Sequence, residues 1–236
     1  HPSRRCLQYL SLELHLRSDL CTCGGIEAIA RLEAENASEE HAREGLDGVV
    51  VLHDGIVEAL PHVADLVLGF GKLAAVHNQA DFRPDYPENA SYCCVALENY
   101  LICRPDITAP ELLRAAGARK IVPVRQGYVR CSALPVDESS LITADEGIYA
   151  AAKALPGVSV LKISAGGVSL PGYETGFFGG AAGRVRDTLV FNGDLSLHPD
   201  GEAVRRFTEA RGLAVKDFPG LPLRDIGSIL YIKKGN

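Results

Sequence analysis

The residues of this sequence best suited to chemistry are a cysteine, a histidine and two carboxylates. Cys131 directly follows Arg130, and an adjacent cation favours the thiolate, which is the reactive form of cysteine. His198 lies directly before a proline at a predicted helix start, where an imidazole could act as an acid or base. Glu174 and Asp225 could together hold a cationic ligand. These residue types predict a site at which a thiol and an imidazole act on a bound cation.

Each of these residues also has an ordinary structural interpretation. Cys131 is small and apolar enough to be a core residue. His198 could cap a helix or make a loop contact. The two carboxylates could each lie in an exposed loop. Asp145 and Asp194, which follow predicted strands, are interpreted as helix-start caps. Residue type alone leaves both interpretations open. The choice between them depends on the strands and helices that position these residues.

An internal repeat predicts those elements. Short apolar runs begin at Leu101, Leu141 and Leu189, and each is followed by a helix-like segment and another apolar run. A further strand-like segment precedes each run, so the repeating unit is strand, strand, helix, strand. The predicted first strands are 92–97, 128–134 and 177–185, and the predicted last strands are 121–124, 158–163 and 213–218.

Two of the three predicted helices have a marked start. Thr108 and Glu111 have the spacing of a capping box, and so do Thr143 and Glu146. The third helix is predicted to open at Pro199 and Asp200 and to end at Gly212.

The repeat predicts a single compact α/β domain, because one unit cannot bury its own sheet and must pack against its neighbours. An ordinary doubly wound sheet is the alternative, but two strands separated by a short turn before each helix fit a tight antiparallel pair better. The predicted parts are divergent N-terminal modules at 1–88, clear repeats at 89–127, 128–170 and 171–220, and a closing strand within 221–236. A helix at 26–46 and a strand at 49–53 are expected to complete the unit that the closing strand begins. The stretch 54–88 is interpreted as a connection.

Equivalent positions of modules that surround an axis are expected to converge. The segments compared are 89–92, 130–132, 174–178 and 225–228. These segments are expected to line one central pocket. The ligand-binding candidates are Arg130, Glu174, Phe178 and Asp225, and the catalytic candidates are Cys131, His198 and Asp225.

Six segments of the sequence carry a resemblance to a known superfamily. They are NYLICRPDI at 99–107, RQGYVRCS at 125–132, LITADEGI at 141–148, LPGYETGFFGGAAG at 170–183, FNGDLSLHPDG at 191–201 and PLRDIGSIL at 222–230. Over residues 85–232 the chain resembles the guanidino-group-modifying enzymes, or penteins, and is most similar to an uncharacterised bacterial branch of that fold. The resemblance implies a pentein-like α/β propeller, with five strand-strand-helix-strand modules around a pseudo-fivefold axis. It also implies a cysteine that attacks a guanidinium carbon, a histidine as acid and base, and carboxylates that hold the substrate.

The sequence departs from this pattern at the nucleophile. Active penteins carry the cysteine on the first strand of the last module, whereas residues 225–232 contain none and the last cysteine is Cys131. Two hypotheses follow. The first is a pentein-fold protein with a pocket for a guanidino-like ligand, which hydrolyses or transfers at a C–N bond. The second is a noncatalytic binding or interaction protein of the same fold.

Composition excludes several other classes of function. With 24 Lys and Arg against 30 Asp and Glu, the formal charge is −6, so we expect no nucleic-acid partner. No apolar run is long enough for a membrane span, and the seven cysteines favour a reduced, cytoplasmic protein. Cys6, His15, Cys21 and Cys23 match no common zinc spacing, so no metal is expected. The glycine-rich run 176–183 leads into a predicted strand, whereas a phosphate-binding loop leads into a helix. The glycines are therefore interpreted as allowing close backbone approach at a hairpin. No cofactor is predicted.

Overall fold

The computed structural model describes residues 9–10, 48–52, 65–66, 76–77, 86–87 and 90–233. In chain order the strands are β1 Tyr9–Leu10, β2 Gly48–Leu52, β3 Asp65–Leu66, β4 Val76–His77, β5 Val95–Ala96, β6 Tyr100–Cys103, β7 Lys120–Pro123, β8 Ala133–Asp137, β9 Ser140–Thr143, β10 Ser159–Lys162, β11 Ala182–Val185, β12 Thr188–Phe191, β13 Ala214–Lys216 and β14 Ile229–Lys233. The helices are α1 Pro110–Ala115, α2 Val129–Ser132, α3 Glu146–Lys153 and α4 Gly201–Glu209. Two 3-10 helices span Gly179–Ala181 and Leu195–Leu197.

Three consecutive sheets share one topology. In the first, β6 pairs antiparallel with β5 and parallel with β7. In the second, β9 pairs antiparallel with β8 and parallel with β10. In the third, β12 pairs antiparallel with β11 and parallel with β13. A helix connects the two parallel strands of each sheet, because a parallel crossover needs a long connection. The predicted order of strand, strand, helix, strand is therefore confirmed in these three modules, and the protein is a mixed α/β protein with small sheets.

The central strand of each module is buried on both sides, which explains its continuous apolar sequence. Residues of β6 and β9 share one hydrophobic cluster with Val129 of α2 and Ile148 of α3. A second cluster joins the second and third modules through Leu134, Ile142 and Phe191. Neighbouring modules thus bury each other's sheets, as expected for units too small to form a core alone.

The closing strand β14 pairs antiparallel with the N-terminal strand β2. The strand expected at 49–53 is therefore present, but it does not take the last place in its sheet, because β2 lies between β1 and β14 and is antiparallel to both. The expected helix at 26–46 lies outside the described residues. Within the predicted connection 54–88, β3 and β4 form a short antiparallel pair.

The first strands of the modules differ from the sequence prediction. The stretch 128–134 does not begin as a strand, because α2 occupies Val129–Ser132 and β8 starts only at Ala133. In the same way a 3-10 helix precedes β11 within 177–185. Neither segment begins as a strand, because the two backbones approach each other closely at Gly179.

The helix starts correct both predicted capping boxes. The Thr143–Glu146 box is wrong because Thr143 donates its hydroxyl to the Ser132 carbonyl and Asp145 is the cap of α3. The N-cap of α1 is Ala109, and the Thr108 hydroxyl donates to the Arg104 carbonyl, so the predicted capping box is not the cap. The N-cap of α3 is Asp145, whose carboxylate accepts from the Ile148 amide at 2.7 Å. Asp194 likewise accepts from the Ser196 amide at 2.9 Å, so the capping interpretation of both aspartates is confirmed.

The last predicted helix, α4, starts as predicted but ends at Glu209, three residues before the predicted end at Gly212. Its N-cap is Asp200, and Gly212 follows its C-terminus with a φ of 73°, a backbone conformation that glycine adopts without strain. Within the described part of the chain, no helix is both long and apolar enough to cross a membrane.

Candidate functional site

Four segments from different modules meet where the closing strand begins. The loop at 225–229 contacts both α2 and the 3-10 helix Gly179–Ala181, and α2 in turn contacts the segment before β5. These are largely the segments that the repeat predicts to converge. We call this group of contacts the junction and define it by residues 90–93, 128–132, 176–182 and 225–229.

Arg130 holds the junction together by its guanidinium. The side chain is buried, and Nη1 donates to the Gly179 carbonyl at 3.0 Å. Nη2 donates to the Ala182 carbonyl at 3.2 Å and to the Ile229 carbonyl at 3.3 Å. Burial lowers the pKa of Arg130 from its ordinary value, and the neighbouring thiols Cys131 and Cys93 act in the opposite direction. One planar cation therefore connects α2, the start of β11 and the start of β14.

Cys131 is also committed to contacts within the chain. It is buried, and its thiol donates to the Gly227 carbonyl at 3.3 Å. Its Sγ lies 3.9 Å from Cys93 Sγ and 4.0 Å from Ser228 Oγ. The core interpretation of Cys131 is thus confirmed, since its thiol is buried and bonded within the chain. The reactive interpretation stays a prediction that depends on its sequence neighbour Arg130.

Asp225 binds backbone amides of the junction. Its Oδ2 accepts from the Phe177 amide at 2.8 Å, and its Oδ1 accepts from the Gly227 amide at 2.9 Å. The side chain is buried, with 7% of its surface exposed. By accepting from these two amides, the Asp225 carboxylate fixes the loop of Phe177 against the closing segment.

The glycine-rich run 176–183 makes room for these contacts. A Cβ at Gly179 would lie 2.6 Å from the Arg130 carbonyl oxygen. A Cβ at Gly180 would collide with the Asp225 carboxylate, and one at Gly183 would collide with the Ile229 carbonyl. The interpretation of this run as close backbone approach is confirmed, and the approaching partners are α2 and the closing segment.

His198 lies in a neighbouring core. Its exposed fraction is 3%, and its ring is 5.1 Å from the Phe178 ring in an edge arrangement. The Nδ1 atom accepts from the Asp200 amide at 3.1 Å, which fixes the neutral tautomer with the proton on Nε2. Nε2 is buried and has no hydrogen-bond partner among the described residues.

The pKa of His198 is lowered from 6.5 chiefly by burial. The charge of Asp200 and the nearby backbone of Gly166 and Ser164 counteract this only in part. His198 is therefore held neutral, and no contact places its ring against Cys131.

The remaining predicted ligand residues lie apart from each other. Glu174 is exposed in the loop before Phe177. Phe178 is 4% exposed and packs against Phe191, so its ring belongs to the core and does not face a ligand. Of the predicted residues, Arg130, Cys131 and Asp225 make the side-chain contacts of the junction. Phe178 lies in its segment 176–182, but the ring packs on Phe191 and His198.

The structure adds residues that the sequence analysis does not predict as site residues. Cys93 contacts Cys131, and Ser228 donates through Oγ to the Gly179 carbonyl at 3.1 Å. Ser228 has a φ of 119°, which is strained for a residue with a side chain, and only its place beside Gly227 hints at this conformation. The aromatic ring of Tyr128 lies 6.1 Å from that of Phe177, and both side chains are half-buried. No local pattern marks these partners, because they are distant in sequence.

The described residues contain no group of three or more His, Cys, Asp or Glu side chains placed to hold a metal ion. Among the described residues, the four cysteines form no disulfide bond.

Comparison with protein families identifies a family to which the chain belongs. A family model described as a family of unknown function (DUF6873) matches residues 63–230, which is more than two-thirds of the chain and contains the three complete modules. Searches of curated proteins and of solved structures found no match.

Proposed function

We propose that this chain, which belongs to the family of unknown function DUF6873, binds a small cationic, guanidino-like ligand and does not turn it over by thiol chemistry. The observation that carries the proposal is the position of Cys131. Its thiol is buried and donates to the Gly227 carbonyl, while the closing segment 225–232 supplies no other cysteine. A nucleophile for a guanidinium carbon must present a thiolate to the substrate, and this thiol is directed into the protein.

The proposal includes a pentein-like α/β propeller. Three successive modules with one topology support it, and the pairing of β14 with β2 joins the two ends of the chain in a further sheet. Five such modules around a pseudo-fivefold axis would bring their first strands together, which agrees with the contacts of the junction.

The proposed ligand site is the outer side of the junction, at the loop of Glu174. Glu174 and Tyr173 are exposed, and the neighbouring Phe177 forms an aromatic pair with Tyr128. A planar cation can stack on such rings and pair with a carboxylate. The interior of the junction is not available to it, because the guanidinium of Arg130 already occupies the backbone carbonyls there.

One observation supports the alternative function, a hydrolase or transferase on C–N bonds. Arg130 interacts electrostatically with the Cys131 and Cys93 thiols, and a neighbouring cation is one of the features that activate a cysteine. If the closing segment moved away from α2, the Cys131 thiol would lose its Gly227 contact and become a nucleophile.

Thermal shift and product assays separate the two functions. The full chain is incubated with arginine, agmatine and methylated arginines, and ureido products, ammonia and released amines are measured in the same samples. The proposal predicts a rise in the unfolding temperature with at least one guanidino compound and no product. Product that forms in the wild type and is lost in Cys131→Ser would establish the alternative.

The ligand site is tested by Glu174→Gln. We expect this variant to weaken binding by about 3- to 10-fold, because one ion pair near the surface is lost. Glu209→Gln is the matched control, since Glu209 is an exposed carboxylate on α4, away from the junction. Equal effects of the two variants, or no thermal shift with any compound, would refute the proposed site.

A further inference from the structure

Two thiols face each other where the first module meets the second. Cys93 Sγ and Cys131 Sγ are 3.9 Å apart, and both belong to one small buried cluster with Ala90. The exposed fractions are 2% for Cys93 and 6% for Cys131. A disulfide bond is about 2.04 Å long, so the two sulfur atoms need to approach by roughly 2 Å to become bonded.

The surroundings distinguish this pair from the other described cysteines. Arg130 interacts electrostatically with both Cys93 and Cys131. Cys94 and Cys103 pack in a different cluster. Burial raises the pKa of both thiols, and for Cys94 the neighbouring Cys93 and Cys103 raise it further.

We propose that Cys93 and Cys131 form an oxidation site that reacts with a small hydroperoxide and closes to a disulfide. Cys131 is the more exposed of the two residues and reacts first, since hydrogen peroxide has only two heavy atoms and needs a far smaller opening than a guanidino compound. Its thiolate attacks one peroxide oxygen, the O–O bond breaks, and a sulfenic acid and hydroxide are formed. The Cys93 thiolate then attacks the Cys131 sulfur, the S–O bond breaks, and hydroxide leaves. With two protons supplied by the thiols, hydrogen peroxide is reduced to two water molecules and the thiols are oxidised to one disulfide.

The disulfide would change the junction. It would link the segment before β5 to α2, and Cys131 would lose the S–H that it donates to the Gly227 carbonyl. Oxidation would therefore exchange a contact with the closing segment for a covalent bond between two neighbouring modules. This inference is independent of the proposed ligand, since it concerns only the two thiols and their neighbours.

Peptide mapping tests the oxidation site. The full chain is reduced, freed of reductant, treated with one to five equivalents of hydrogen peroxide, alkylated under denaturing conditions and digested. We expect a cross-linked peptide pair, 2 Da lighter than the sum of its reduced parts, in which fragmentation assigns the bond to Cys93 and Cys131. Dithiothreitol should reverse the link.

Serine variants assign the partners. Cys93→Ser and Cys131→Ser should abolish the link, whereas Cys94→Ser, a change at an equally buried neighbour, should retain it. A link from Cys131 to Cys94 or Cys103 overturns the proposal, and so does oxidation to sulfinic acid with no disulfide. Fragmentation of the wild-type peptides decides between these results even if a serine variant fails to fold.

Discussion

The buried guanidinium of Arg130 should dominate the stability of the junction. Arg130→Met keeps a long, flexible side chain but removes the donors to the Gly179, Ala182 and Ile229 carbonyls. Gly179 retains the hydroxyl of Ser228 as a donor, so the cost falls on the carbonyls of Ala182 and Ile229. Each buried group left without its partner costs about 1–3 kcal/mol, and removing the buried charge recovers part of this. We expect a net loss of about 3 kcal/mol in the free energy of unfolding.

Urea denaturation followed by circular dichroism measures this loss. For a slope of about 2–3 kcal/mol per molar urea, the midpoint should fall by about 1–1.5 M. Urea is preferred to guanidinium chloride because the latter would add free guanidinium ions to a protein expected to bind them. Circular dichroism is used because the chain contains no Trp for fluorescence. Arg114→Met is the matched control, since Arg114 is exposed on α1 and its loss should change the free energy by less than about 0.5 kcal/mol.

Arg130→Lys should be intermediate, because an ammonium keeps the charge but cannot match the three acceptors with a planar fork. A free energy of unfolding for Arg130→Met within about 1 kcal/mol of the wild-type value would contradict this prediction, because the three hydrogen bonds would then contribute almost nothing to stability.

Three further changes follow from the same contacts. Gly180→Ala should lower the free energy of unfolding by about 2–4 kcal/mol, because its Cβ would collide with the Asp225 carboxylate, and an unaffected urea midpoint would contradict this. Asp225→Asn should cost about 1–3 kcal/mol in the same assay, since an amide oxygen can replace only one of the two acceptors; full stability would show that the second amide contact is dispensable. His198 has a lowered pKa, so the unfolded chain binds its proton more readily, and stability should fall as pH drops below 6.5 toward the folded-state pKa. Between pH 7 and 5.5, the urea midpoint of His198→Gln should fall less than that of the wild type. Equal falls in the two proteins would rule out a contribution from His198.

The repeat predicted the modules well because each one is local. The runs at Leu101, Leu141 and Leu189 are the central strands of three sheets with one topology, and apolar periodicity within about 40 residues was sufficient to find them. The place of β2 could not be predicted in this way, because its partner β14 lies at the other end of the chain and strand patterns do not specify which edge is paired.

The candidate site was predicted as a set of segments but not as a set of contacts. Asp225 was expected to hold a ligand, whereas its carboxylate accepts hydrogen bonds from the backbone amides of Phe177 and Gly227. Arg130 was expected in a strand-loop segment, whereas it lies on α2 with its guanidinium in the interior. These roles depend on partners 48 and 49 residues away, which residue type and spacing do not encode.

Calorimetric titration of agmatine into the wild type and into Cys131→Ser tests the central claim most directly. Binding without turnover predicts saturable heats that are the same for both proteins, with the agmatine recovered intact. Continuing heat release in the wild type, absent from Cys131→Ser and accompanied by loss of agmatine, would contradict the claim and establish Cys131 as a nucleophile.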